Sequence, residues 1–172
     1  MAEGIAWVEP PGLAGAIGML PLPGLVIAKR GERFVDGALQ DEVLDTLAAW
    51  QTVLLVILLD DDEYDPDELD DLASAAEARS ITLLRTPIAD FSAPDQRLDW
   101  PPLIERLAGE LRQGRRIAFC CLAGYGRSGM MAARLLIATG STPQAAITAV
   151  RAARPGAIES EEQIAYLLSC TP

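Results

Sequence analysis

The stretch Arg116-Ile117-Ala118-Phe119-Cys120-Cys121-Leu122-Ala123-Gly124-Tyr125-Gly126-Arg127-Ser128-Gly129 passes from an apolar run through a loop with two glycines into a helical pattern. Arg116 to Cys121 reads as a strand, and Ser128 to Thr139 reads as a helix stopped by Gly140. A loop placed between them opens a helix N-terminus, where unpaired backbone N–H groups and the positive end of the helix dipole receive an anion. Gly124 and Gly126 permit the positive φ angles that a nest of inward-pointing N–H groups requires. Arg127 adds a planar fork of donors that matches two phosphate oxygens. Cys121 stands six positions before Arg127, and the same positive field favours its thiolate at neutral pH. The expected phosphate-binding residues are therefore Leu122, Ala123, Gly124, Tyr125, Gly126 and Arg127, with Cys121 as the nucleophile inside their cradle. The competing reading is a buried structural Cys in a turn.

Outward from this unit, strands and helices alternate. Thr52 to Leu59 is continuously apolar, as a central strand covered on both faces should be, and it is too short to span a membrane. A further strand is expected over Ile81 to Arg85. Helices are expected over Leu39 to Trp50, Pro66 to Ala78 with Asp65 as N-cap, Pro101 to Gln113, Pro143 to Ala153 with Thr142 as N-cap, and Glu161 to Ser169. This order predicts an α/β fold, a single domain over 1–172 with a central, mostly parallel twisted sheet of about four to five strands and helices on both faces. The loop then lies at the carboxyl end of a central strand, where such sheets bind ligands.

Cys121-Leu122-Ala123-Gly124-Tyr125-Gly126-Arg127-Ser128-Gly129 resembles the Cys-x5-Arg-Ser/Thr signature loop of the cysteine-dependent protein phosphatases. Thr86-Pro87-Ile88-Ala89-Asp90-Phe91-Ser92-Ala93-Pro94 resembles the Pro-Ile-x-Asp-x-x-x-Pro general-acid loop of the dual-specificity branch. The resemblance implies that Asp90 protonates the leaving oxygen, a need set by the poor departure of an unaided alkoxide or phenolate. A turn Asp between two prolines is the alternative for Asp90. Arg154-Pro155-Gly156-Ala157-Ile158-Glu159-Ser160-Glu161-Glu162-Gln163 resembles a stretch that follows the loop in the kinase-associated and Cdc14-like branches. There a Gln holds the water that hydrolyses the phosphocysteine, which implies that role for Gln163. Ser160 and Gln163 also spell a capping box, and the two readings are compatible. The segment Gly18 to Gly24 is similar to the Pro-Gly strand end that precedes the first helix in the kinase-associated branch. The implied reaction is hydrolysis of phosphotyrosine, and of phosphoserine or phosphothreonine, by a dual-specificity or protein tyrosine phosphatase. It runs through a phosphocysteine intermediate, with Ser128 stabilising the departing thiolate. No cofactor and no metal are required.

One departure from that family is chemical. Most members carry His just before the nucleophile, whereas this chain has Cys120 there and no His anywhere. Cys-His and Ser-His catalysis and histidine metal sites are thereby excluded. Cys120 is one residue out of register with Arg127, and on a strand it faces away from Cys121, so it is expected to be a packed thiol. The departure leaves open an alternative function, a catalytically weak or inactive phospho-binding module.

Composition bounds the partners. A net charge of −11 argues against nucleic acid and anionic membranes, which are bound through basic patches. The loop interior lacks the basic residues of phosphoinositide phosphatases, so a phosphorylated protein or peptide is the expected substrate, with inorganic phosphate or sulfate able to enter the loop. Asp60 to Asp71 holds nine carboxylates but lacks the Gly and final Glu of an EF-hand, and reads as a solvated loop and helix N-terminus. Three cysteines without a leader-like apolar segment point to a reducing cytoplasm. Abundant Ala and Arg in preference to Lys hint at a bacterial source.

Overall fold

Apolar runs short enough to be strands alternate with capped helical segments along residues 4–171, the part of the chain that the computed structural model describes. In chain order these are β1 (Ala6–Val8), β2 (Ala16–Pro21), β3 (Leu25–Ile27), β4 (Arg33–Val35), α1 (Gly37–Ala49), β5 (Thr52–Ile57) and α2 (Pro66–Glu77). There follow β6 (Thr82–Arg85), α3 (Trp100–Arg112), β7 (Arg116–Cys121), α4 (Gly126–Ala138), α5 (Pro143–Ala153) and α6 (Glu161–Ser169). The main sheet is five-stranded in the order β1-β2-β7-β5-β6. Its four inner and far strands run parallel, and β1 returns antiparallel along β2. This is the single-domain, mostly parallel α/β fold expected from the alternation.

Strand side chains alternate between two apolar layers, which is why both faces must be covered. Ile17, Met19, Val56, Ile117, Phe119 and Cys121 pack with α3 to α6 on one face. Leu20, Leu55, Ile57, Ala118 and Cys120 pack with α1 and α2 on the other. Among the described residues no helix is long and apolar enough to cross a membrane.

Two boundaries shift from the sequence reading in ways that matter. Helix α4 begins at Gly126, two positions before Ser128, because the Tyr125 carbonyl already accepts from Gly129 N–H at 3.0 Å. Arg127 therefore sits in the first turn rather than in the loop. Helix α1 begins at Gly37, where Asp36 accepts from the N–H groups of Ala38 and Leu39 at 2.9 and 3.1 Å. The strand β1 and the β3-β4 hairpin have no counterpart in the sequence reading. They are three residues each, too short for an alternation to register.

Candidate active site

Strand β7 is central in the sheet, and Cys121 is its last residue, 3% exposed at the strand's carboxyl end. The chain then turns through Leu122 to Tyr125 into α4. Gly124 makes the turn possible: its φ is +76°, and a Cβ there would lie 2.3 Å from the Leu20 carbonyl carbon. That conformation directs the Gly124 N–H onto Cys121 Sγ at 3.2 Å. On the outside of the loop the Tyr125 carbonyl accepts from Ile158 N–H at 3.3 Å, and the Ala123 carbonyl accepts from Arg154 Nη2 at 3.1 Å. Carbonyls tied outward leave their N–H partners turned the other way, the arrangement an anion nest needs.

Arg127 is a buried guanidinium, 1% exposed. Its terminal nitrogens make three hydrogen bonds and one further ion pair. Nη1 donates to Glu63 Oε2 and, at 2.9 Å, to the Ile88 carbonyl. Nη2 donates to Glu63 Oε1 at 2.8 Å and lies 3.2 Å from Asp90 Oδ1. Burial works against the charge of Arg127, but the hydrogen bonds and charge of Glu63, joined by Cys121 and Asp90, raise its pKa above the ordinary value. The fifth donor, Nε–H, has no protein partner among the described residues, and neither have Ser128 Oγ and Gln163 Nε2. These three buried polar atoms flank the same loop, and groups left so cost stability until something bonds them.

The structure brings the sequence-selected residues together. Cys121 to Ser128 form the strand end, loop and first helical turn, and Asp90 reaches them through its ion pair with Arg127. The Asp90 loop leaves β6 and is fixed at two points on α6: Ser160 Oγ donates to the Phe91 carbonyl at 2.6 Å, and Ala93 N–H donates to Glu162 Oε1 at 3.1 Å. Gln163 completes the capping box of α6, its Oε1 accepting from Glu159 and Ser160 N–H at 2.9 and 3.3 Å. Its amide packs against the first turn of α4, where a Cβ added to Gly126 would lie 3.2 Å from Nε2 and 3.3 Å from Oε1. Cys120 lies in the opposite apolar layer, fully buried, and burial pushes its thiol well above its ordinary pKa.

Sequence reasoning missed Glu63, the Ile88 carbonyl and Arg154. Glu63 lies inside a run of nine carboxylates and 64 positions from Arg127, so nothing local distinguishes it from its solvated neighbours. Arg154 stood within a resembling segment, yet only the fold shows its side chain against the loop.

A family model described as "Tc-R-P: Polymorphic toxin system, DSP-PTPase phosphatase" matches residues 38–141. Among solved structures, the chain is similar to kinase associated phosphatase carrying a catalytic-site cysteine to serine substitution. The match has 25% identity and a TM-score of 0.77, over 95% of this chain and 90% of that one. It is similar to Tk-PTP in the active form at 25% identity and a TM-score of 0.66, over 98% and 97% of the two chains. A putative protein tyrosine phosphatase from Leishmania major shares the fold at 17% identity and a TM-score of 0.66, over 100% of both chains. No curated protein matches the sequence significantly. With the cradle at the carboxyl end of β7 and a family match spanning well over half of its length, this chain belongs to the DSP-PTPase phosphatases of polymorphic toxin systems.

Proposed function

We propose that the protein hydrolyses phosphate monoesters on protein or peptide substrates, phosphotyrosine foremost, through a phosphocysteine intermediate on Cys121, in a reducing compartment. The observation that carries the reading is the convergence of unpaired donors on one thiol-bearing loop. Gly124 N–H meets Cys121 Sγ, and Arg127 Nε, Ser128 Oγ and Gln163 Nε2 are buried around it without protein partners among the described residues. A tetrahedral oxyanion would satisfy donors that the folded chain leaves unmet.

In the first step the Cys121 thiolate attacks phosphorus, the S–P bond forms and the P–O bond to the leaving group breaks. The loop N–H groups and Arg127 hold the equatorial oxygens, and Asp90 gives its proton to the departing oxygen. In the second step a water held by the Gln163 amide gives its proton to Asp90 and attacks phosphorus. The S–P bond breaks, and the Ser128 hydroxyl donates to the released thiolate. Phenolate departs more readily than alkoxide, which favours phosphotyrosine. Leu122, Ala123 and Tyr125 supply no cation for an inositol ring, which favours a phosphoprotein.

The test is p-nitrophenyl phosphate hydrolysis against pH in chelator and reductant. Wild type should turn over. Cys121→Ser should be inactive while still binding phosphate, and Asp90→Asn should lose about two to three orders of magnitude in kcat. Folded, reduced wild type that binds phosphate without turnover would make the chain a phospho-binding module instead.

A further inference from the structure

The Ala123–Gly124 peptide is bonded at both ends. Its N–H donates to Cys121 Sγ at 3.2 Å, and its carbonyl accepts from Arg154 Nη2 at 3.1 Å. We infer that Arg154 is a positioning residue for the Cys121 thiolate, acting through this one peptide group, an inference that rests on the reading of Cys121 as nucleophile.

A peptide unit is planar, so fixing the direction of its oxygen fixes the direction of its N–H. A cation on the oxygen also polarises the amide and strengthens the bond that the N–H donates at the other end. Gly124 leaves the peptide free to take this orientation because φ is +76°, where a side chain would be strained. The orientation therefore has to be held from outside, and Arg154 is the group that holds it. Arg154 is itself immobilised. Its Nη1 donates to the Gly4 carbonyl at 3.0 Å, and its guanidinium carbon lies 4.0 Å over the Tyr125 ring. It thus grips the loop on both sides of Gly124, at the Ala123 carbonyl and at the Tyr125 ring.

The arrangement adds support to a loop that lacks one expected neighbour. The resemblance expects a His just before the nucleophile to help order the loop, but Cys120 stands there, packed into the opposite layer. The support that Arg154 gives comes from the far side of the loop. Lysine could not replace Arg154, because a point charge cannot span two carbonyls and stack on a ring at once. The other titratable groups at the loop are Arg127, Cys120 and Glu159, whose carboxylate lies against Gly126, with Glu63 and Asp90 paired to Arg127. An Arg154 substitution leaves all of these in place.

The experiment is iodoacetamide alkylation of Cys121, followed by mass spectrometry across acidic to alkaline pH, on wild type, Arg154→Ala and Arg154→Lys, with thermal melting alongside. In mildly acidic buffer Arg154→Ala should react about tenfold more slowly, the worth of roughly one hydrogen bond to a charged group. It should converge on wild type at alkaline pH, where ionisation no longer depends on that support, and Arg154→Lys should fall nearer to the Ala variant. Profiles superimposable on wild type in folded variants would overturn the inference, as would slowing by the same factor at every pH, which reports altered access. If Arg154→Ala does not fold, Tyr125→Ala, which removes only the stack, and Arg154→Lys carry the same comparison. Wild type whose Cys121 neither reacts below alkaline pH nor supports turnover would instead sink the nucleophile reading itself.

Discussion

Cys120 and Cys121 are neighbours on one strand with opposite environments, since strand side chains alternate between faces. Cys121 meets donors at the loop, whereas Cys120 is sealed among Leu20, Leu55, Ile57 and Ala118. Burial raises the Cys120 pKa, so the folded protein keeps that proton at a pH where the unfolded chain releases it. Stability from this site is therefore complete below the ordinary value of 9.0 and declines as pH rises above it. Melting temperature should fall on the alkaline side of pH 9.0, and Cys120→Ala should flatten that decline. A slope unchanged by the substitution would show that other groups control it. At the same scale, Glu63 is the main counter-charge of a guanidinium that is 1% exposed. Glu63→Gln leaves Arg127 with Asp90 as its remaining carboxylate, and should cost about 2 kcal/mol in a denaturant titration, below the full penalty for breaking a buried pair because Glu63 is partly solvated. Wild-type stability in that variant would mean that Asp90 suffices.

Helix α6 links elements that the chain keeps far apart. Ser160 caps the helix by accepting from Gln163 N–H at 3.1 Å and donates to the Phe91 carbonyl beside Asp90 at 2.6 Å. One hydroxyl thus fixes the helix start that orients Gln163 and the loop that carries Asp90. Ser160→Ala should lower stability by about 1 kcal/mol, as lost N-caps do. It should also lower kcat for p-nitrophenyl phosphate more than it raises KM, because the cradle on β7 and α4 is untouched. A rise in KM at constant kcat would show that the tether serves binding alone. The capping box and Pro at the start of helices α2 and α5 were legible in the sequence because capping is a local interaction. The bond from Ser160 to Phe91 spans 69 positions and has no local signature.

Over the whole molecule, the proposed anion cradle is set in a chain of net charge −11. A groove of about 370 Å³ that includes Leu122 of the loop is lined by Asp62, Glu63, Asp65 and Glu68 and by a single cation, Arg33. A small phosphate dianion approaches against this field, which salt screens within about 8–10 Å at physiological ionic strength. Raising salt from low to physiological strength should therefore increase kcat/KM for p-nitrophenyl phosphate about twofold or more, until added anions compete for the loop. A phosphopeptide with flanking Lys or Arg should show the opposite trend. Equal salt responses for the two substrates would mean that the field does not reach the cradle.

The sequence determined the alternating α/β fold, the strand-loop-helix unit of Arg116 to Ala138, and the grouping of Cys121, Arg127 and Ser128. These rest on hydrophobic period and on the positive φ of Gly124, which act between residues close along the chain, whereas Gly126, expected to share that φ, is the first residue of α4. Asp90 and Gln163 were legible only through resemblance, since their distance from the loop in sequence carries no geometry. Only the tertiary structure decided that one carboxylate among nine holds Arg127, and that Arg154 grips the outside of the loop. The reason is physical: a buried charge and an outward carbonyl must each find a partner, and which one they find depends on what sheet packing brings within reach.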